Sequence, residues 1–195
     1  MFRTLLLTTA IGLALSSTAF AQTAGSETGR DVDQQQRIEQ GLQSGQLSTG
    51  EAARLENGEA RVDHMQQDAL RNGNLSPAEA ARINKAQNAE SARIYDDKHN
   101  GLTGNPGSAS SQRMQADVQR NVDQQSRIHN GVKSGALTDR ETAHLERGQA
   151  HTAKREARAG RDGHVGPREQ HRIQTADNRQ SHRIYRQKHD AQTRP

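Results

Sequence analysis

The octet Ser44-Gly45-Gln46-Leu47-Ser48-Thr49-Gly50-Glu51 recurs three more times, starting at Asn72, Ser134 and Asp162. Each copy has a glycine, an apolar residue two positions later and a glutamate six positions after the glycine. Glycine can adopt the left-handed conformation that ends a helix, and Ser or Thr three positions later can cap the next helix together with the glutamate. The pattern therefore predicts four turns that each join two helices. The residues expected in these turns are Gly45, Ser48, Glu51, Gly73, Ser76, Glu79, Gly135, Thr138, Glu141, Gly163 and Glu169.

The chain is a tandem duplication. Val32-Asp33-Gln34-Gln35 returns at 122–125, and Arg93-Ile94-Tyr95 returns at 183–185, always 90 positions later. A repeat of this kind predicts two structural units of the same fold. We expect an all-α protein of two tandem three-helix units, which are helical hairpins with short Gly turns. The expected helices are 31–43, 49–71 and 77–99 in the first copy, and 113–133, 139–159 and 167–189 in the second.

Segments outside the two copies have a different composition. Residues 22–30 are polar and are expected to be disordered, and the Gly, Pro and Ser content of 101–112 predicts a flexible linker. The first copy then spans 31–100 and the second 113–190, with a tail at 191–195. We expect a thin core, because the chain has no Trp and only two Phe and two Tyr, and its mean hydropathy is −1.07.

Residues 1–21 have the features of a secretory signal peptide. One arginine precedes an apolar run that ends at Ala19-Phe20-Ala21, a small-x-small cleavage pattern. The apolar run is shorter than the ~20 residues of a membrane span. The sequence therefore predicts a periplasmic or secreted protein with no transmembrane segment after cleavage. There is no cysteine, so disulfides and a lipid anchor on cysteine are excluded.

The two copies differ in charge. The first is acidic, whereas the second is basic and histidine-rich, which suggests self-association through oppositely charged repeats and weak polyanion binding. Acidification would charge the histidines, and we expect this either to loosen the second copy or to tighten its hold on an anionic partner. A zinc or copper site would need histidines from different helices. The histidines of the second copy are His129, His144, His151, His164, His171, His182 and His189; those of the first are His64 and His99.

The turns share their Gly and Glu spacing with the second half of an EF-hand calcium loop. Calcium needs six to eight oxygen ligands, yet the third loop position is Leu42, Leu70, Val132 or Gly160. These side chains offer no oxygen, so the capping interpretation is preferred. Only one loop keeps two early ligand positions, and the weak metal candidates there are Asp68, Asn72 and Glu79. No cofactor is predicted.

A polar stripe recurs on the last helix of each copy at steps of three and four residues. We regard it as a candidate interaction surface; the other interpretation is that it only completes the edge of the core. No nucleophile, base and orienting group occur at a readable spacing, which favours a protein that is not an enzyme. The stripe residues are Asn88, Ser91, Tyr95 and His99, and Asn178, Ser181, Tyr185 and His189.

Taken together, the N-terminal segment, the Gly-x-Leu-Ser/Thr-x-x-Glu turns and the helices ending Arg-Ile-Tyr-x-x-Lys-His resemble a family of exported proteobacterial proteins. That family consists of tandem helical repeats with degenerate EF-hand-like turns. The resemblance implies a periplasmic or secreted location and a helical fold, and no activity. We expect an interaction or structural protein, or one related to envelope stress, with an unknown protein or envelope partner. The alternatives are a hydrophilin-like stress-protective protein and a metal-ion module of the EF-hand-like or histidine type.

Overall fold

The computed structural model describes residues 23–192. The all-α prediction is confirmed, because these residues contain six α-helices and no strand. None of the helices in this range is long and apolar enough to cross a membrane. The expected signal peptide lies outside the described residues. The helices are α1 (Ala24–Ser44), α2 (Thr49–Leu70), α3 (Pro77–Lys98), α4 (Ala109–Lys133), α5 (Asp139–Ala159) and α6 (Pro167–Lys188), with a 3-10 turn at Gly160–Asp162.

The four turns have the local geometry that their residues favour. The glycine of each turn has a φ between 76° and 85°, which is left-handed. In three turns the hydroxyl of the cap residue accepts from the backbone N–H of the glutamate, whose carboxylate accepts from the cap N–H. In the fourth, Gly166 has no hydroxyl, yet its N–H still donates to Glu169 at 2.9 Å and α6 begins at Pro167.

Two segment predictions are corrected. Residues 24–30 are helical rather than disordered, because Ala24 packs into an apolar cluster and Glu27 and Asp31 are buried. The linker predicted at 101–112 ends earlier, since α4 begins at Ala109. It is also attached to the first turn, where the N–H of Gly104 donates to the carbonyl of Gly45 at 2.8 Å.

The two copies pack against each other through equivalent helices. Helix α1 lies against α4 and α2 lies against α5, while α3 and α6 each pack on the helices of their own copy. Contact between equivalent elements is the arrangement of an isologous dimer, here within one chain. The duplicated units therefore form one six-helix bundle, in which α2 and α5 are central.

The apolar core consists of two clusters, and each contains residues of both copies. Along α2 and α5, the clusters lie at the helix ends, and most buried positions between them are polar. Within residues 23–192, as many polar or charged side chains are buried as apolar ones, which agrees with the expected thin core. The first cluster includes Ile38, Leu42, Leu55, Ile94, Met114 and Ile173. The second includes Ala24, Leu70, Ile128, Leu145 and Ile184.

Candidate functional site

A cationic groove lies between α5 and α6. We call it the second-copy groove, and its volume is about 760 Å³. Its floor is buried, at Leu145 and Gly148. A Cβ on Gly148 would overlap the amide of Gln180, so the glycine allows α6 to approach α5 closely. The charged and titratable groups that line the groove are His144, Arg147, His151, Arg183, Arg186 and Asp190, all of them exposed.

The equivalent surface of the first copy, the first-copy groove, has balanced charge. Its arginines are Arg54, Arg61 and Arg93. Arg54 lies 3.9 Å from Asp97, and Arg93 lies 2.7 Å from Glu90. Counting the nearby carboxylates of Glu90, Asp96 and Asp97, three negative groups accompany three arginines. This groove therefore carries its own counter-ions.

All three carboxylates are lost in the second copy. The positions of Glu90, Asp96 and Asp97 are occupied 90 residues later by Gln180, Arg186 and Gln187. Among residues 23–192, the arginines of the second-copy groove form no ion pair. Three arginines thus face a single carboxylate, Asp190. The duplication has kept the groove and removed its counter-ions.

Two histidines line the second-copy groove. His144 accepts a hydrogen bond from Arg147 at 3.1 Å when its Nδ1 is unprotonated. The pKa of His151 is lowered, first by burial and then by the neighbouring charges of His64 and of arginines. The rings of His64 and His151 meet edge to face at 6.1 Å, one from each copy. Since the pKa of His151 is lowered, acidification below the ordinary histidine range protonates its ring and makes this surface more positive.

A second unusual feature lies inside the bundle. Within the described range, buried carboxylates are numerous and no Lys, Arg or His is buried. Burial raises the pKa of these acids, to about 7 for Asp31, Glu56 and Asp177 and to about 8 for Asp117. Those in helix interiors are Glu27, Asp31, Glu39, Glu56, Glu59, Asp63, Glu90, Asp117, Glu146, Glu156 and Asp177.

Three of these acids converge. Asp31 of α1, Asp63 of α2 and Glu146 of α5 each place a carboxylate oxygen within 4.8 Å of the others. In the part of the chain that the structure describes, no other group of three His, Asp or Glu side chains is as close. The histidines of the second copy therefore do not form such a group in this range. We call Asp31, Asp63 and Glu146 the three-carboxylate cluster.

The sequence did not reveal these acids as a site. In α2, Glu56, Glu59, Asp63 and Gln66 follow at steps of three and four, a spacing that also suits a solvent-exposed face. The available signal was that the opposite face of α2 is also polar, with Arg54, Asn57 and Arg61, so that the acidic face is not clearly the outer one. Only the packing of α5 on α2 identifies the acidic face as buried.

The polar stripe predicted on α3 and α6 is divided by the structure. In the first copy Asn88 accepts from Arg30 and Ser91 accepts from Gln34, both of them on α1. In the second copy Ser181 accepts from Arg127, and Asn178 is exposed. These residues therefore do not form one continuous exposed surface.

Only the last two residues of each stripe, a tyrosine and a histidine, form an exposed aromatic pair. The rings of Tyr95 and His99 stack at 4.2 Å, as do those of Tyr185 and His189. Each histidine Nδ1–H donates to the backbone carbonyl of its tyrosine at 2.7 Å, so the histidine ends its helix.

The weak metal candidates of the second turn remain near the surface. Glu79 accepts from the N–H and hydroxyl of Ser76, and Asn72 accepts from the N–H of Asn74. Asp68 and Glu79 line one shallow pocket with Arg82. The capping bonds occupy one oxygen of Glu79 and lower its pKa.

Comparison of the chain with protein-family models, with curated proteins and with solved structures found no match.

Proposed function

We propose that this chain is a non-enzymatic interaction protein of the bacterial envelope, periplasmic or secreted, that binds a phosphate-bearing anionic partner in the second-copy groove. The observation that carries the proposal is the change of charge at that groove: all three carboxylates of the first-copy groove are lost, and Arg147 and Arg186 replace Asn57 and Asp96. Of the arginines of the first-copy groove, only Arg93 has an arginine equivalent, Arg183. The balanced first-copy groove is an internal reference, because it has the same helices and the same floor.

Arginine suits a phosphate ligand. Its guanidinium presents a planar set of donors that matches two phosphate oxygens, and the resulting charge-assisted bonds are stronger than neutral ones. Arg147 projects from α5, whereas Arg183 and Arg186 project from α6, so an anion between the helices can contact both. The groove is lined by no Phe, Tyr or Trp, which disfavours single-stranded nucleic acid, since its bases stack on aromatic rings.

The location predicted from the sequence also supports a phosphate-bearing anionic partner. The N-terminal sequence predicts export, and envelope components such as phosphorylated glycolipids present clustered phosphates. His151 supplies a link to envelope stress, because its protonation increases the positive charge where the anion binds. Of the two acid responses expected from the sequence, tighter anion binding is the one that the groove favours.

The test is calorimetric titration of the folded protein with pyrophosphate at pH 7 and low salt. Arg186→Asp places the residue of the first copy at this position and is expected to weaken binding roughly tenfold or more, equivalent to about 1.4 kcal/mol. Arg82→Asp makes the same charge change on the exposed face of α3 and is the matched control. The proposal fails if wild-type protein binds no pyrophosphate or if both variants weaken binding equally.

A further inference from the structure

We propose that the three-carboxylate cluster is a binding site for a divalent cation of calcium size, held between the two copies. The inference does not rest on the second-copy groove, which lies on the surface between α5 and α6. Two of the three carboxylates come from the first copy and one from the second. A bound cation would therefore link the two halves of the bundle.

Charge is the first argument. Asp31, Asp63 and Glu146 are each at most 2% exposed, and no cationic side chain is buried in the described bundle. Burial raises the pKa of each of the three, and their mutual repulsion raises the pKa of Asp63 and Glu146 further. Buried carboxylates of this kind must be neutralised by protons or by a cation.

Unpartnered oxygens at the cluster are the second and independent argument. Gln125 is 2% exposed, and its Nε2 lies 3.4 Å from Asp63 and 3.3 Å from Glu146. Gln66 is 1% exposed and donates to Asp31 at 2.7 Å. The Oε1 atoms of both glutamines have no hydrogen-bond partner within residues 23–192.

Rotation of either amide by half a turn would direct its carbonyl oxygen toward the carboxylates. The turn gives up the hydrogen bond from the amide N–H to the carboxylate, and a cation between the carboxylates would bind both the carboxylate and the amide oxygen in its place. Glu59 adds further negative potential. Neither of its oxygens has a hydrogen-bond partner in the described structure, and the largest charge effect on its pKa comes from Asp31.

The spacing of the carboxylate oxygens in the three-carboxylate cluster favours calcium over magnesium. Calcium–oxygen distances of about 2.3–2.6 Å allow two ligand oxygens of one ion to lie up to about 5 Å apart, whereas magnesium at about 2.1 Å allows only about 4 Å. The three oxygens all lie within 4.8 Å of one another, a span that the larger ion can bridge without movement of the helices. Three carboxylates and two amide oxygens can supply the six to eight oxygens that calcium takes.

The duplication provides a matched control. Glu56 is the equivalent of Glu146, but the position of Asp63 is Ala153 in the second copy and that of Asp31 is Asn121. Around Glu56 there is accordingly no third carboxylate at comparable distance among the described residues. Glu146→Gln and Glu56→Gln remove the same buried charge from equivalent positions, and only the first removes a proposed ligand.

The experiment is calorimetric titration of chelator-treated protein with CaCl₂ and, separately, MgCl₂ at pH 7.5. We expect one equivalent of calcium, with magnesium binding at least tenfold weaker. Glu146→Gln should weaken calcium binding at least tenfold, and Glu56→Gln by less than about threefold. Far-UV circular dichroism checks that each variant is folded, and Asp31→Asn serves as a second ligand variant if Glu146→Gln is not.

Absence of saturable calcium binding by the wild-type protein would overturn the inference. Equal weakening by Glu146→Gln and Glu56→Gln would also overturn it, because calcium would then respond only to the total charge of the bundle. Arg186→Asp should leave calcium binding unchanged. Loss of pyrophosphate binding and loss of calcium binding are therefore separate outcomes.

Discussion

Gln66 donates a hydrogen bond of 2.7 Å to Asp31. At the equivalent positions 90 residues later, the amide and the acid have exchanged places. In the second copy Asn121 is the donor and Glu156 the acceptor, again at 2.7 Å. Each copy therefore retains one amide and one acid at this contact, although the helices that carry them are exchanged. The amide satisfies one carboxylate oxygen, which limits the cost of burying the acid. At this contact, each copy thus pairs a buried acid with a buried amide.

Stability should fall as the pH rises from about 4 to 8. The acids with raised pKa bind protons more tightly in the folded than in the unfolded chain, whose carboxyl pKa values are about 4. Their stabilising contribution is complete below pH 4 and is lost as the pH rises through about 7 to 8. We expect the free energy of unfolding to decrease by more than about 3 kcal/mol between pH 5 and 8, since one such group contributes about 1.4 kcal/mol per pH unit.

Urea unfolding with a chelator present measures this change. The protonation of His151 has the opposite sign, because its lowered pKa favours the unfolded state in acid, but it is one group against many. Stability that is constant or increases between pH 5 and 8 would contradict the burial of the carboxylates. A chain without any cooperative transition at pH 5 would instead support the hydrophilin-like alternative.

Asp31→Asn should stabilise the metal-free protein at pH 8. The substitution introduces the residue that the second copy has at this position, and it removes a buried charge while Gln66 can rotate to accept from the new amide. We expect a gain of about 1–3 kcal/mol at pH 8 and less than about 1 kcal/mol at pH 5, where the wild-type carboxyl is already protonated. Equal effects at the two pH values in urea unfolding would contradict this explanation.

Gly58→Ala should destabilise the protein although alanine favours helices. A Cβ on Gly58 would overlap the buried carboxylate of Glu90, which is held by Arg93. We expect a loss of about 1–3 kcal/mol in thermal or urea unfolding. Gly50→Ala is the control in the same helix, because its Cβ would meet other atoms only at ordinary contact distances, and it should be neutral or stabilising by up to about 1 kcal/mol. Equal effects of both substitutions would contradict the steric argument.

The turns should act as helix caps whether or not calcium is present. Thr138→Ala removes the hydroxyl that accepts from the N–H of Glu141 and should cost about 1 kcal/mol. Gly166→Ser adds the missing hydroxyl of the fourth turn at a backbone conformation that serine adopts freely, and should gain a few tenths of a kcal/mol. A calcium-dependent effect of either substitution on thermal unfolding would indicate that the turns bind the ion.

The turns and helix boundaries could be predicted from the sequence, whereas the packing of one copy on the other could not. Gly45, Ser48 and Glu51 define a turn by their own backbone and capping preferences, so the helix boundaries followed from a few residues. The short apolar stripes around Ile38 and Leu55 would suit packing within one copy or between copies. Acids such as Glu56 are ordinarily solvated on helices, and nothing local marks them as buried. The charge difference between the copies was visible, but only the structure placed it in equivalent grooves.

The most direct measurement of the central claim is the stoichiometry of pyrophosphate binding. Wild-type protein should bind one equivalent, in the second-copy groove. The double variant Asp96→Arg/Asp97→Gln gives the first-copy groove the two residues that the second copy has there and releases Arg54 from its ion pair with Asp97. We expect this variant to bind two equivalents. A stoichiometry that stays at one in the folded variant, or a wild-type protein that binds none, would contradict the account.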